Sequence, residues 1–156
     1  MKKTIILITA LLLFCTLTFA ACGNKVSMDA MKQRFKDEGY TLTTMSKSDI
    51  DKTAGLVEGF SFSGGHSSNY DGFWWTVSIY KFSTKTLAEE YKDRNPPKEE
   101  SSEGAFFGVL CSLKGEVYFC KVSYSSLPDS AEPSVTPHPD MAKVQAVITV
   151  FDSFFK

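Results

Sequence analysis

"FFGVLCSLKGEVYFCKVSY", residues 106–124, sets two largely apolar runs either side of one glycine, and the way they pair decides how the chain is read. Gly115-Glu116 puts glycine at the first central position of a two-residue turn, the type II′ preference. That turn pairs Lys114 with Val117, Leu113 with Tyr118, Ser112 with Phe119 and Cys111 with Cys120. Phe107, Val109, Cys111 and Leu113 then share a face with Tyr118, Cys120, Val122 and Tyr124. Ser112, Lys114, Lys121 and Ser123 fall on the other face, whereas a Lys114-Gly115 turn would mix the two. The register predicts a cross-strand disulfide between Cys111 and Cys120 at a non-hydrogen-bonded position. Its short loop puts the stabilisation at the low end of ~2–4 kcal/mol. C-x8-C is not the redox spacing, and no further Cys or His pair completes a zinc site.

Upstream, "FWWTVSIYKF", residues 73–82, is the strongest strand signal, apolar on both faces and so central in a sheet. Residues 56–62 alternate as a second strand, and "YTLTTM", residues 40–45, reads as a third. "SGGHSSNYDG", residues 63–72, is a ten-residue loop, and "SKSDIDKTAG", residues 46–55, is a polar connection with room for a helical turn. A first helix opens at Ser27 as N-cap, buries Met28, Met31 and Phe35, and closes at Gly39. A second starts at Ser83, with Phe82 and Leu87 as a hydrophobic staple, and is stopped by Pro96-Pro97. "PPKEESSEG", residues 96–104, reads as a charged linker, and residues 125–140, with four prolines, as an irregular surface loop. A third helix carries Met141, Val144, Ile148, Phe151 and Phe155 on one stripe. The expected architecture is α+β, an antiparallel sheet of about five strands with three helices in the order α-β-β-β-α-β-β-α.

The chain's beginning concerns location. Lys2 and Lys3 precede an apolar run from Ile5 to Phe19 that ends in Ala20, Ala21, Cys22 and Gly23, the pattern of a signal peptide over residues 1–21. The run nearly reaches the ~20 residues a spanning helix needs, but its small-residue end suits a peptidase better than an interface. At Phe19-Ala20-Ala21-Cys22 the segment resembles the lipobox of bacterial lipoproteins. The resemblance implies cleavage before Cys22, lipidation of its sulfur with acyl chains such as palmitate, and anchoring on the outer face of the cell membrane. One acyl chain binds a membrane marginally and two bind it stably, so a diacylglyceryl group would anchor without spanning. Residues 22–25 form a tether, and residues 26–156 one α+β domain. Export also permits the disulfide.

Cleavage leaves 135 of the 156 residues, one domain, and takes the formal charge from −1 to −3. A mildly acidic domain without a basic cluster argues against nucleic acid as partner, and equally against electrostatic docking on anionic lipid, which leaves membrane attachment to the lipid. "DEGY", residues 37–40, and "LAEEY", residues 87–91, resemble elements of small uncharacterised envelope lipoproteins of Gram-positive bacteria. The element order also loosely resembles PsbP-like α/β sandwich folds. Neither likeness implies an activity.

Catalytic chemistry is thinly represented. His66 and His138 are the only histidines. Ser67, His66 and Asp71 spell a triad in composition, but adjacency is not triad geometry and no nucleophile elbow is present. Nothing matches a phosphate loop, a dinucleotide fingerprint or a zinc helix. No enzyme activity, cofactor or metal is expected. Trp74 and Trp75, adjacent in a strand, point to opposite faces. With three helices available the first expectation is that both are buried; if one face is left uncovered, Trp75 goes with Val77 and Ile79 to the core and Trp74, near Tyr70 and His66, is the candidate binding surface. The leading expectation is an envelope protein that binds a small ligand or a protein partner. The alternatives are a cell-wall or peptide hydrolase using His66 and a structural, self-assembling lipoprotein.

Overall fold

Ser27 caps the first helix as its sequence predicts: its hydroxyl accepts the Ala30 N–H at 3.1 Å. This helix, α1 (Met28–Asp37), ends in a Schellman motif. Gly39 sits at φ +92°, its N–H reaches the Lys36 carbonyl, and the Tyr40 N–H reaches back to Phe35. A computed structural model describes residues 26–67, 72–102, 105–127 and 141–156, with the backbone alone at 66, 67, 101, 102, 105, 106 and 127. The expected signal peptide, the expected tether with Cys22, and Tyr70 and His138 lie outside the described residues.

After α1 come β1 (Thr43–Thr44), α2 (Lys47–Asp51), β2 (Leu56–Ser67), β3 (Gly72–Phe82) and α3 (Lys85–Arg94). β4 (Lys98–Ser102), β5 (Ala105–Lys114), β6 (Tyr118–Leu127) and α4 (Met141–Ser153) complete the described chain. All pairings are antiparallel, in one sheet of order β1-β2-β3-β6-β5-β4. The α+β class stands, but with six strands and four helices where five and three were expected. The added helix α2 is capped by Ser46, whose hydroxyl accepts the Asp49 N–H. The added strand β4 is the stretch expected to be a linker. An edge strand pairs on one side only, so a charged stretch such as Lys98, Glu99 and Glu100 can lie in it.

β2 also departs from expectation. It runs to Ser67 in register with β3, where a ten-residue loop was expected, so only residues 68–71 separate the two strands. Gly64 has the Trp75 indole over its Cα, where any Cβ would collide. Aromatic cover of this kind supports glycine in a strand. A bulge between Leu56 and Glu58 leaves Val57 exposed and turns Leu56 to the face opposite Phe60 and Phe62.

The decisive hairpin closes one residue longer than its sequence predicts. Lys114 pairs with Tyr118, Leu113 with Phe119, Ser112 with Cys120 and Cys111 with Lys121. Gly115 and Glu116 both take positive φ, and Val117 joins the loop. The Val117 carbonyl accepts the Phe82 N–H at the end of β3, and its side chain packs on the core. A one-residue slip reverses which residues of one strand share a face with the other. Tyr118, Cys120, Val122 and Tyr124 stay buried together, but Cys111 and Leu113 turn to the other side, among Phe82, Phe119 and Tyr91.

The Cys111–Cys120 disulfide is thereby corrected: both are free thiols, on opposite faces of the sheet. Burial in apolar surroundings raises the pKa of both, most strongly for the fully buried Cys120. Reductant should leave the thermal unfolding midpoint unchanged, and a thiol reagent should reach Cys120 only after unfolding. A midpoint that drops with dithiothreitol would contradict this register.

The core lies mainly on one face. Phe60, Phe62, Phe73, Trp75, Val77, Ile79, Cys120, Val122 and Tyr124 pack under Met28, Met31 and Phe35 of α1 and Val144, Val147 and Phe151 of α4. Asp152 of α4 accepts the Ser112 hydroxyl at 2.7 Å and pairs with Lys114 at 3.5 Å, seating the helix on β5. Val147 takes the buried place expected of Ile148, which is half-buried. A smaller core on the second face joins Leu56, Phe82, Ala88 and Phe119, with Tyr80, Tyr91 and Leu87. The cap of α3 is Thr84, one residue past the expected Ser83.

Candidate functional site

The second face is covered over only half its length. α3 and α2 lie over Tyr80, Phe82, Phe119, Cys111 and Leu113. Beyond Lys121, whose ammonium donates to the Asn95 side-chain carbonyl at 2.9 Å, no described helix packs on it. The register lays out this open half in rows across the strands. Ser63, Thr76, Ser123, Val109 and Lys98 form one row; Gly65, Trp74, Ser125, Phe107 and Glu100 form the next. Alternation places hydroxyls there because this half meets water, and Ser63 and Thr76 hydroxyls touch across strands at 3.2 Å.

Two large aromatics break the polar surface. Trp74 is 39% exposed and Phe107 46%, against 6% for Trp75. They sit in the same row with Ser125 between them, two strand spacings or ~10 Å apart. Trp74 folds over Gly72, where a Cβ would strike its ring, so the indole lies along the sheet. Lys98 and Glu100 pair at 3.3 Å beside Phe107. The floor is therefore close to neutral: hydroxyls, two aromatic rings and an internally balanced ion pair.

Of the sequence candidates, Trp74 and Trp75 take the faces that alternation assigns. His66 is not in a loop: its backbone pairs with Phe73, and Gly65 is the residue level with Trp74. The His66 side chain and all of Tyr70 and Asp71 fall outside the described residues. Phe107 was expected in the core beside Cys111; the slipped register exposes it. No local signal would have found it, since its exposure follows from Val117 joining the turn.

On the covered face, small residues make room for Tyr124. Its ring lies over Gly108, and its hydroxyl donates to Glu99 at 2.9 Å, tying the edge strand β4 to β6 across β5. Burial first, and the Glu99 carboxylate beside it second, push this phenol up to about 12. A shallow depression of about 260 Å³ lies elsewhere, between α2 and α3, lined by Lys52, Thr53, Ala54, Tyr91, Arg94 and Asn95. Among the described residues no three His, Cys, Asp or Glu gather to hold a metal, and no helix is long and apolar enough to cross a membrane. No known protein family, curated protein or solved structure matches the chain.

Proposed function

We propose that this is a non-enzymatic, lipid-anchored protein of the bacterial cell envelope that binds a ligand or partner with the open half of its sheet. The observation that carries the reading is the row Trp74-Ser125-Phe107: two exposed aromatics in register on a nearly neutral floor. Exposed aromatics in one patch mark interaction surfaces more often than isolated ones do. The basic head, apolar run and Ala20-Ala21-Cys22 junction support export and attachment at Cys22.

Two measurements test the two halves of the proposal. Fatty-acid label should enter the full-length protein in its own cells and be lost in Cys22→Ser; label that survives would remove the anchor. The double variant Trp74→Ala/Phe107→Ala should remain folded, each change costing less than the about 3–5 kcal/mol of emptying a fully buried aromatic site, since both rings are partly exposed. It should also lose co-sedimentation with detergent-extracted envelope fragments. Equal co-sedimentation of parent and variant would reject this face.

A further inference from the structure

We infer that the open half of the sheet takes a neutral, β-linked glycan chain, two of whose hexose rings stack on Trp74 and Phe107. The inference rests on the reading that this face binds, and it names the chemical class of what is bound.

Both rings are offered as stacking surfaces. Trp74 lies over Gly72, which is buried, so the indole follows the sheet and turns one face to solvent. Phe107, more exposed still, stands level with it across Ser125, the two Cα positions two strand spacings or ~10 Å apart. In an equatorially β-linked hexose chain, every second ring returns to the same orientation at about that distance. Such rings carry C–H bonds on their faces and hydroxyls on their rims. The C–H faces meet the negative faces of the aromatics, and the rims stay free for hydrogen bonds. The sheet twists by ~20–25° per strand, which a single chain follows through its glycosidic torsions and a flat crystalline polymer does not.

The floor around the rings selects against other occupants. Lys98 and Glu100 balance each other beside Phe107, and Lys121, two rows further back, is turned to Asn95. A neutral ligand complements this floor, whereas a charged one would lose its hydration without meeting a counter-charge. Thr76, Ser123 and Ser125 share the open face, and their hydroxyls both donate and accept, as sugar hydroxyls do. The serine between the rings interrupts the apolar surface, so there is no contiguous patch of the kind that a protein partner or a lipid surface covers. The indole, laid along the sheet, does not stand out from it to enter a bilayer.

Tryptophan emission of the full-length protein in phospholipid nanodiscs, titrated with cellobiose, cellotetraose and maltotetraose, tests the inference. Of the two tryptophans Trp75 is buried, so a shift to shorter wavelength reports Trp74. Cellobiose covers one ring and cellotetraose reaches both, so the tetrasaccharide should bind about tenfold tighter or more. Maltotetraose, whose α-linkages coil the chain, should bind no better than cellobiose. Phe107→Ala should abolish the advantage of cellotetraose and leave cellobiose binding unchanged; Phe107→Tyr, which keeps the ring, should preserve the advantage. If Phe107→Ala proves unfolded, the three sugars on the parent decide. No shift with millimolar cellotetraose overturns the inference, as does equal binding of maltotetraose or an advantage that survives Phe107→Ala. Should cellotetraose fail while Trp74→Ala/Phe107→Ala still loses envelope co-sedimentation, the glycan is wrong and the binding face stands; should both fail, the face falls with it.

Discussion

Phe35→Ala should lower the unfolding free energy by about 3–5 kcal/mol, the usual cost of emptying a phenylalanine site in a packed core. The side chain is fully buried, with ring centroids of Phe62, Tyr40 and Phe60 at 4.9, 6.1 and 6.2 Å. With Met28 and Met31 it is one of the three buried side chains by which α1 joins the core, and it also meets Tyr40 beyond the Schellman turn. A domain's total stability is about 5–15 kcal/mol, so this loss is a large fraction of it. Urea unfolding followed by circular dichroism measures the difference. A loss under 1 kcal/mol would mean that α1 does not dock as described.

Gly108→Val should cost about 3 kcal/mol for the opposite reason, too much volume in a filled place. A Cβ at residue 108 would lie inside the Tyr124 ring, so the ring must leave and its bond to Glu99 must break. Edge strand β4 should then come loose from the sheet, visible as faster amide exchange over Lys98–Ser102. A spectroscopic signature accompanies this. In the parent the folded pKa of Tyr124, about 12, lies above the ordinary value near 10. The neutral phenol therefore contributes stability that is complete below about pH 10 and is lost as pH rises through about 12. In the variant the freed ring should ionise nearer the ordinary value, so phenolate absorbance should rise earlier in alkaline titration. An unchanged titration curve would show that Tyr124 had not moved.

The sequence-based and observed folds agree where local signals are strong. Ser27 and Gly39 bound α1 through side-chain and backbone bonds that need only a few neighbouring residues. Trp74 and Trp75 divide between two faces because adjacent residues in any strand must. The disagreements have tertiary causes. β4 is an edge strand because β5 offers it a ladder, and its own residues carry no strand pattern. Gly64 and Gly65 extend β2 because aromatic residues of β3 lie beside them.

What the sequence by itself determined is the class of fold, the caps of the first helix and the faces of the central strand. What only the tertiary structure decided is the register of residues 106–124. The two-residue turn and the three-residue loop differ locally by little. A hydrogen bond from Phe82 to the Val117 carbonyl, and the packing of Val117 on the core, select the longer loop. That one-residue choice parts Cys111 from Cys120 and exposes Phe107 in line with Trp74, because side chains in a strand alternate with period two.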